Sequence, residues 1–250
     1  MAKTDIETLE LGLMSAWPAA RSVWHNGWVL RWTNGYSKRA NSVTPIYKRG
    51  ADLAKQVAWC EQYYKGLGWN VIFRETPLGD GAEMAAYLEG NGYARFDKSI
   101  VPIRELSEKI ELNQNVVWED WSTRAVSWVS LAAKFRGDDA GEHEHVALLE
   151  RIVNERVLAV GYVDKEPVVI GVGVRFGQWV SIFEVLVAKD RRREGWGRAI
   201  TERFMSWGKD RGATHACLQV VRANEAAYKL YETLGFENAY EYIYWRKEDG

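Results

Sequence analysis

The chain has 250 residues and only two cysteines, Cys60 and Cys217. They lie far apart in apolar surroundings. Both therefore read as buried free thiols rather than a disulfide framework, which points to the cytoplasm. No apolar run approaches the ~18–20 residues that a membrane-spanning helix needs, so no membrane partner is expected. Residues 1–13 are acidic and lack the pattern of a secretory signal. The formal net charge is −1, which excludes a general attraction to nucleic acid. Against these shortages stand 13 tryptophans. Most fall inside strand or helix patterns and read as core or interface aromatics. The length is comfortable for two small domains.

One stretch organises the chain. Residues 180–187 form a short apolar run rich in β-branched residues, which reads as a buried strand. A polar turn follows, Asp190-Arg191-Arg192-Arg193-Glu194-Gly195-Trp196-Gly197. Ile200, Phe204 and Trp207 then recur at helical spacing. A strand, a glycine turn and a helix start make an anion site. The first helical turn has N–H groups without intrahelical partners and the positive end of the dipole. Glycines let the backbone close around phosphate oxygens, and three arginines add charge. The Walker pattern fails because no Gly-Lys-Ser/Thr follows. The Rossmann pattern fails because the third glycine is missing.

The spacing that fits is Arg192-x-x-Gly195-x-Gly197. A second stretch, Asn224-Glu225-Ala226-Ala227-Tyr228-Lys229-Leu230-Tyr231-Glu232-Thr233-Leu234-Gly235-Phe236, reads as a helix capped by Asn224 and stopped by Gly235. Together the two stretches resemble the acyl-CoA signature and the Asn-x-x-Ala-x-x-Leu-Tyr-x-x-x-Gly-Phe motif of the GNAT superfamily of N-acetyltransferases. The resemblance implies a mixed α+β fold with a mostly antiparallel sheet flanked by helices and central strands that splay apart.

The N-terminal half echoes the same order. Helices are expected at 7–20, at 51–65 and around Met84, with strands at 27–32, 69–73 and 93–101. Ala85-Ala86-Tyr87-Leu88-Glu89-Gly90-Asn91-Gly92-Tyr93 repeats the motif's ending. The Asn34–Pro45 string resembles the N-terminal half of bacterial tandem GNAT-like proteins. Residues 1–112 are thus expected to be a degenerate GNAT-like domain, and 113–250 the coenzyme-binding one. At the glycine-turn position the first half has Tyr47-Lys48-Arg49-Gly50-Ala51-Asp52, which argues against a second coenzyme site. Ser122 is expected to cap a helix through Val126, Val129 and Ala133. A further helix carries His143, Val146, Leu149 and Ile152. Its Glu142-His143-Glu144-His145 cluster lacks the i, i+4 spacing of a zinc helix and reads as a solvated face, so no metal is expected.

The resemblance implies roles. Backbone of Val185, Leu186 and Val187 would pair with the pantetheine arm of acetyl-CoA. N–H groups of Arg193, Glu194, Gly195, Trp196, Gly197 and Arg198, with Arg192 beside them, would hold the pyrophosphate, and Asn224 would contact the coenzyme arm. Tyr231 resembles the acid that protonates the leaving thiolate, with a plain core aromatic as the other reading. Glu184 is the one acid in the apolar run. A buried carboxylate with a raised pKa makes a base near neutrality. A carboxylate on the open edge of the cleft, one paired with an arginine, or water as the base, are its alternatives. A covalent route through Cys217 lacks an evident histidine partner. The expected activity is transfer of an acetyl group to a primary amine of unknown identity, by a monomer or homodimer. The alternative is a catalytically retired acyl-CoA-binding or interaction module.

Overall fold

A computed structural model describes residues 3–50 and 52–247. In chain order the elements are α1 (Lys3–Ala16), β1 (Arg21–His25), β2 (Trp28–Trp32), β3 (Val43–Pro45), α2 (Leu53–Gly66), β4 (Phe73–Glu75), α3 (Gly81–Glu89), β5 (Tyr93–Glu105) and β6 (Val117–Asp120). They continue with α4 (Ala125–Arg136), α5 (Glu142–Arg151), β7 (Arg156–Val163), β8 (Glu166–Phe176), β9 (Trp179–Val187), α6 (Trp196–Lys209), β10 (His215–Leu218), β11 (Val220–Val221), α7 (Glu225–Thr233) and β12 (Glu237–Lys247).

One continuous sheet runs β1-β2-β3-β4-β12-β5-β10-β9-β8-β7-β6, with β11 paired to β5. The pairs are antiparallel except β3–β4 and β9–β10. Two elements cross the division expected near residue 112. The last strand, β12, sits between β4 and β5. Helix α1 lies on the C-terminal half, with Leu9, Leu13 and Trp17 in the same core as Val172, Val174 and Phe176. Trp17 stacks on Phe183 at 4.7 Å between centroids.

Sequence explains the layering around the C-terminal strands. In Ile170-Gly171-Val172-Gly173-Val174, the large side chains face α1, α4 and α5. The glycines face Phe204 of α6, where an added Cβ would come within 2.8 Å of the ring at Gly171 and 2.7 Å at Gly173. Alternation thus sets a thick core on one face and lets α6 settle close on the other.

Several boundaries differ from expectation for identifiable reasons. Pro18 follows α1, which ends at Ala16. The strand expected at 27–32 is half of a hairpin. Asn26 and Gly27, both with positive φ (45° and 83°), turn it back on β1. That partner is a mostly exposed edge strand and so lacks an apolar alternation. Ser122 does not cap α4. Its hydroxyl donates to Asp120 and accepts from Leu158 N–H, and Arg124 precedes the helix.

A buried ion pair within the first half takes a third hydrogen bond from the last strand. Arg74 of β4 makes two hydrogen bonds to the Glu10 carboxylate on α1, and Tyr240 of β12 donates a third. Arg74 and Glu10 are 3% and 1% exposed. Removing one partner would leave the other buried and uncompensated. Glu10→Ala is expected to lower stability by about 3–5 kcal/mol in equilibrium urea unfolding, and Glu10→Leu combined with Arg74→Met to lower it less. A loss below about 1 kcal/mol for the single variant would show that the pair carries no such role.

Candidate active site

The central strands part in the middle of the sheet. β9 and β10 pair in parallel from Trp179↔His215 to Ile182↔Leu218. Beyond that, β9 continues to Val187, while the chain after Leu218 turns to β5 as β11. Burial follows the break: the first five residues of β9 are buried and the last four, Glu184 to Val187, only half-buried. A central strand is ordinarily covered along its length, so the end of β9 borders a wedge.

At the break the β8–β9 register shifts, between Val172↔Phe183 and Ile170↔Leu186. Glu184 sits in this bulge with φ 49°. A bulge re-aims a side chain, and a non-glycine residue at positive φ stores strain of about 1–3 kcal/mol. After it Leu186 packs against the α1–α4–α5 core, and Val185 and Val187 against the α6–α7 core.

The bulge delivers the Glu184 carboxylate into a cluster from three segments. Tyr36 donates its hydroxyl hydrogen to Oε1 at 2.7 Å. His145 Nε2 lies 2.7 Å from Oε2, at an angle short of a well-directed hydrogen bond. The Tyr36 and His145 rings stack at 4.6 Å. Burial would raise the Glu184 pKa. The His145 contact, the Tyr36 hydrogen bond and the Arg136 charge outweigh it and hold the carboxyl below its ordinary value. The raised pKa expected for this residue is therefore reversed, because the acid is partnered by a histidine and a phenol. Burial and the neighbouring carboxylate push the Tyr36 phenol far above its usual range.

Cluster 142–145 also differs from a uniformly solvated face. His143 is exposed, but His145 is wholly buried. Glu144 accepts from Asn34 Nδ2 at 2.7 Å, and Glu142 from Ser130. The signal was in the spacing: His145, Leu148, Leu149 and Ile152 share a face at i, i+3, i+4 and i+7, all buried. Among the described residues no cluster of side chains could hold a metal ion.

Glu184 lines a cavity of about 360 Å³ between the halves. Tyr36, Lys38 and Arg39 come from the first half, Arg136 and Asp138 from the end of α4, and Tyr242 and Tyr244 from β12. Sequence reasoning assigned none of these a role. Burial raises the Tyr242 phenol, but the charges of Arg39 and Arg74 more than offset it, leaving the pKa lowered. A larger cavity of about 750 Å³, walled by Asp97, Val221, Arg222 and Tyr228, lies beyond β11 and does not include Glu184 or the glycine turn.

The glycine turn closes the wedge at the α6 end. Gly195 precedes α6 with φ 90°, which favours glycine, and a Cβ there would meet nothing within 4 Å. The first intrahelical bond runs from Ala199 N–H to Gly195 O, so the N–H groups of Trp196, Gly197 and Arg198 belong to the turn without intrahelical partners. Arg192 and Arg193 are exposed, Arg193 with φ 70°. Arg192 Nε reaches Val187 O at 3.5 Å. Glu194 is tied sideways, accepting from Arg191 Nε at 3.0 Å and from Trp196 Nε1 at 2.9 Å. A Cβ on Gly197 would come within 3.1 Å of Leu230, where α6 meets α7. Arg198 bonds Thr233 at 2.8 Å. These fits suit an anionic guest with a phosphate, since the turn offers donors, charge and empty space together.

Asn224 caps α7, its Oδ1 accepting from Ala227 N–H at 3.2 Å. Tyr231 lies in the α6–α7 core against Phe236, and burial pushes its phenol up to about 12. Both cysteines are free and buried. Burial raises the Cys217 thiol to about 12, which removes it as a nucleophile at neutral pH.

Known proteins resemble this chain in sequence and fold. The sequence matches the family described as "Probable histone acetyltransferase Rv0428c C-terminal" over residues 3–74 and 172–245, more than half the chain. It is 25% identical to the uncharacterized N-acetyltransferase YobR of Bacillus subtilis over 250 residues, 96% of this chain and 98% of that protein. A 59-residue segment is 39% identical to the ribosomal protein bS18-alanine N-acetyltransferase of Escherichia coli, covering 24% of this chain and 40% of that enzyme. A GCN5-related N-acetyltransferase from Kribbella flavida superposes with a TM-score of 0.73 at 14% identity, over 98% of this chain and 96% of that one. A tandem GNAT protein from clavulanic acid biosynthesis superposes at 0.60 and 12% identity, over 81% and 72%. The chain belongs to the Rv0428c-type acetyltransferase family, and so to the GNAT superfamily of N-acetyltransferases.

Proposed function

We propose that the protein moves an acetyl group from acetyl-CoA to a primary amine by direct attack, at the wedge between β9 and β10–β11. The observation that carries this reading is the break in the sheet. β9 loses its β10 neighbour after Ile182 while staying paired with β8, and the turn into α6 follows its end. Acetyl-CoA supplies the activated thioester. The uncovered edge at Val185, Leu186 and Val187 accepts its pantetheine arm as another strand would pair. N–H groups from Arg193 to Arg198 hold the pyrophosphate, Arg192 and Arg193 add charge, and Asn224 flanks the arm. A backbone N–H near Val187 faces the developing charge on the thioester oxygen. Glu184 takes the amine proton, directly or through water, and Tyr231 returns one to the thiolate. Two buried free thiols suit the cytoplasm.

Residues 1–112 we read as a degenerate repeat that binds no coenzyme, with 113–250 as the coenzyme-binding domain. At the corresponding strand–turn–helix junction Asp52 precedes α2, and its carboxylate accepts from Lys55 N–H. An internal anion thus stands where a phosphate would sit. Titration calorimetry of the full chain with acetyl-CoA should give one site. Gly195→Val should abolish it with native circular dichroism, since a branched side chain at φ 90° is strained and fills the space left for phosphate. Two equivalent sites would overturn the repeat argument, and normal binding by Gly195→Val would place the phosphate elsewhere.

The base makes a pH prediction. Glu184 is held below its ordinary 4.5. Its ionised, base-competent form therefore persists as pH falls to 4.5 and is lost only as pH falls further through the lowered pKa. The kcat/KM profile should show no acid limb from Glu184 above that pH, and Glu184→Gln should lower kcat/KM by roughly 10²–10³. A wild-type limb at roughly pH 5–7 that vanishes in Glu184→Gln would mean that the carboxyl titrates as an unpartnered buried acid.

Tyr231 is a donor at neutral pH, its phenol being raised to about 12. Tyr231→Phe should leave acetyl-CoA affinity nearly unchanged and slow single-turnover transfer by roughly 10²–10⁴, toward the lower end because a thiolate needs little help. An unchanged rate would leave the thiolate to water.

A further inference from the structure

The cavity beside Glu184 is charged asymmetrically. Glu184 stands at the wedge end, already matched by His145 and Tyr36. The other walls carry Lys38, Arg39 and Arg136. Lys38 pairs with Asp97 at 2.6 Å. Arg39 has no carboxylate partner: its Nε bonds the Tyr242 hydroxyl at 3.4 Å and its Nη2 the Gln219 carbonyl at 3.2 Å. Arg136 acts on the Glu184 charge and on the Tyr36 hydroxyl, but its Nη2 is buried without a hydrogen-bond partner. Tyr244, in the same wall, has a buried hydroxyl without a partner. Asp138, the remaining acid of the lining, accepts from Ala140 N–H on the exposed loop.

Both guanidinium groups line this small space, Arg136 acting on the Glu184 charge and Arg39 with no carboxylate partner, and a buried donor left unmade is costly. Arginine's planar fork suits a carboxylate. Three tyrosines and Val221 offer walls for an apolar or aromatic body. At about 360 Å³ the cavity suits a molecule of amino-acid size.

We propose that the acceptor is a small amine that itself carries a carboxylate, its amine at Glu184 and its carboxylate between Arg136 and Arg39. This rests on the reading that acetyl transfer occurs beside Glu184. A peptide N-terminus has no carboxylate at that distance and is disfavoured.

The test uses matched trios built on phenylalanine, leucine and glutamine: the amino acid, its carboxamide and its decarboxylated amine. A short alanine-initiated peptide amide and O-phosphoethanolamine are added. Thiol release from acetyl-CoA gives kcat/KM with the full-length protein, and calorimetry with CoA present gives binding. At least one amino acid should exceed its carboxamide and its amine by about 30-fold, the worth of a charge-assisted pair. Arg136→Gln should bring that ratio close to one, and Arg136→Lys should keep part of it. Acetyl-CoA affinity of the variants, measured separately, guards against misfolding. Equal or better turnover of the carboxamides, the decarboxylated amines, the peptide amide or O-phosphoethanolamine would overturn the proposal, as would a ratio untouched by Arg136→Gln. If no amine is acetylated, the transfer reading falls and binding decides. Amino-acid binding that Arg136→Gln abolishes supports the carboxylate site, and its absence overturns it.

Discussion

The Glu10–Arg74 pair holds the two ends of the chain to its middle. Helix α1 brings the acid, β4 the guanidinium, and β12 the Tyr240 hydroxyl. Such a pair, 3% and 1% exposed, adds little net stability, because desolvation offsets most of the attraction, but half of it cannot be tolerated. It therefore acts as a condition on assembly: α1 must lie on the C-terminal sheet and β12 must enter the N-terminal one. Arg31 reinforces the same corner, donating to the Met14 and Trp17 carbonyls at the end of α1, where a cation is favoured by the helix dipole.

The consequence reaches the wedge through Gln219, which lies between β10 and β11. Arg74 Nη2 donates to its side-chain oxygen at 3.3 Å, and Arg39 Nη2 to its backbone carbonyl at 3.2 Å. Both arginines belong to the N-terminal half. The segment that departs from β9 is thus held from outside the C-terminal half. The bulge at Glu184 works from the other side, spending backbone strain to turn one carboxylate toward Tyr36 and His145. A gap in a central sheet would otherwise close, since unpaired strand edges seek partners.

What the sequence made legible follows from the range of the forces involved. Strand, turn and helix at 180–209, and the capped helix at 224–233, are fixed by local periodicity, glycine and Asn224, and they stand where expected. The Glu184 surroundings are not local. Tyr36 is 148 residues away, and neither it nor Arg136 carries a pattern that points at an acid in another segment. His145 is the instructive case. Its phase with Leu148, Leu149 and Ile152 marked an inward residue, but the neighbouring acids gave the segment the look of a solvated face. Strands β1 and β6 escaped notice for a simpler reason: edge strands with exposed residues have no apolar alternation to read.

The same local architecture is put to two ends in the two halves. Before α6 the chain leaves glycine, arginine and open donors. Before α2 it places Asp52, which satisfies a first-turn donor from within. A helix start that caps itself has no use for an external anion, so the first half is free to serve as a wall. It contributes Tyr36, Lys38 and Arg39 to the cavity, and the inserted β12 contributes Tyr242 and Tyr244. A lone C-terminal half would leave Glu184 without Tyr36 and the cavity without Arg39. The self-capped start of α2 and the half-open cavity lined by Arg39 and Arg136 are therefore two results of the same interleaved sheet.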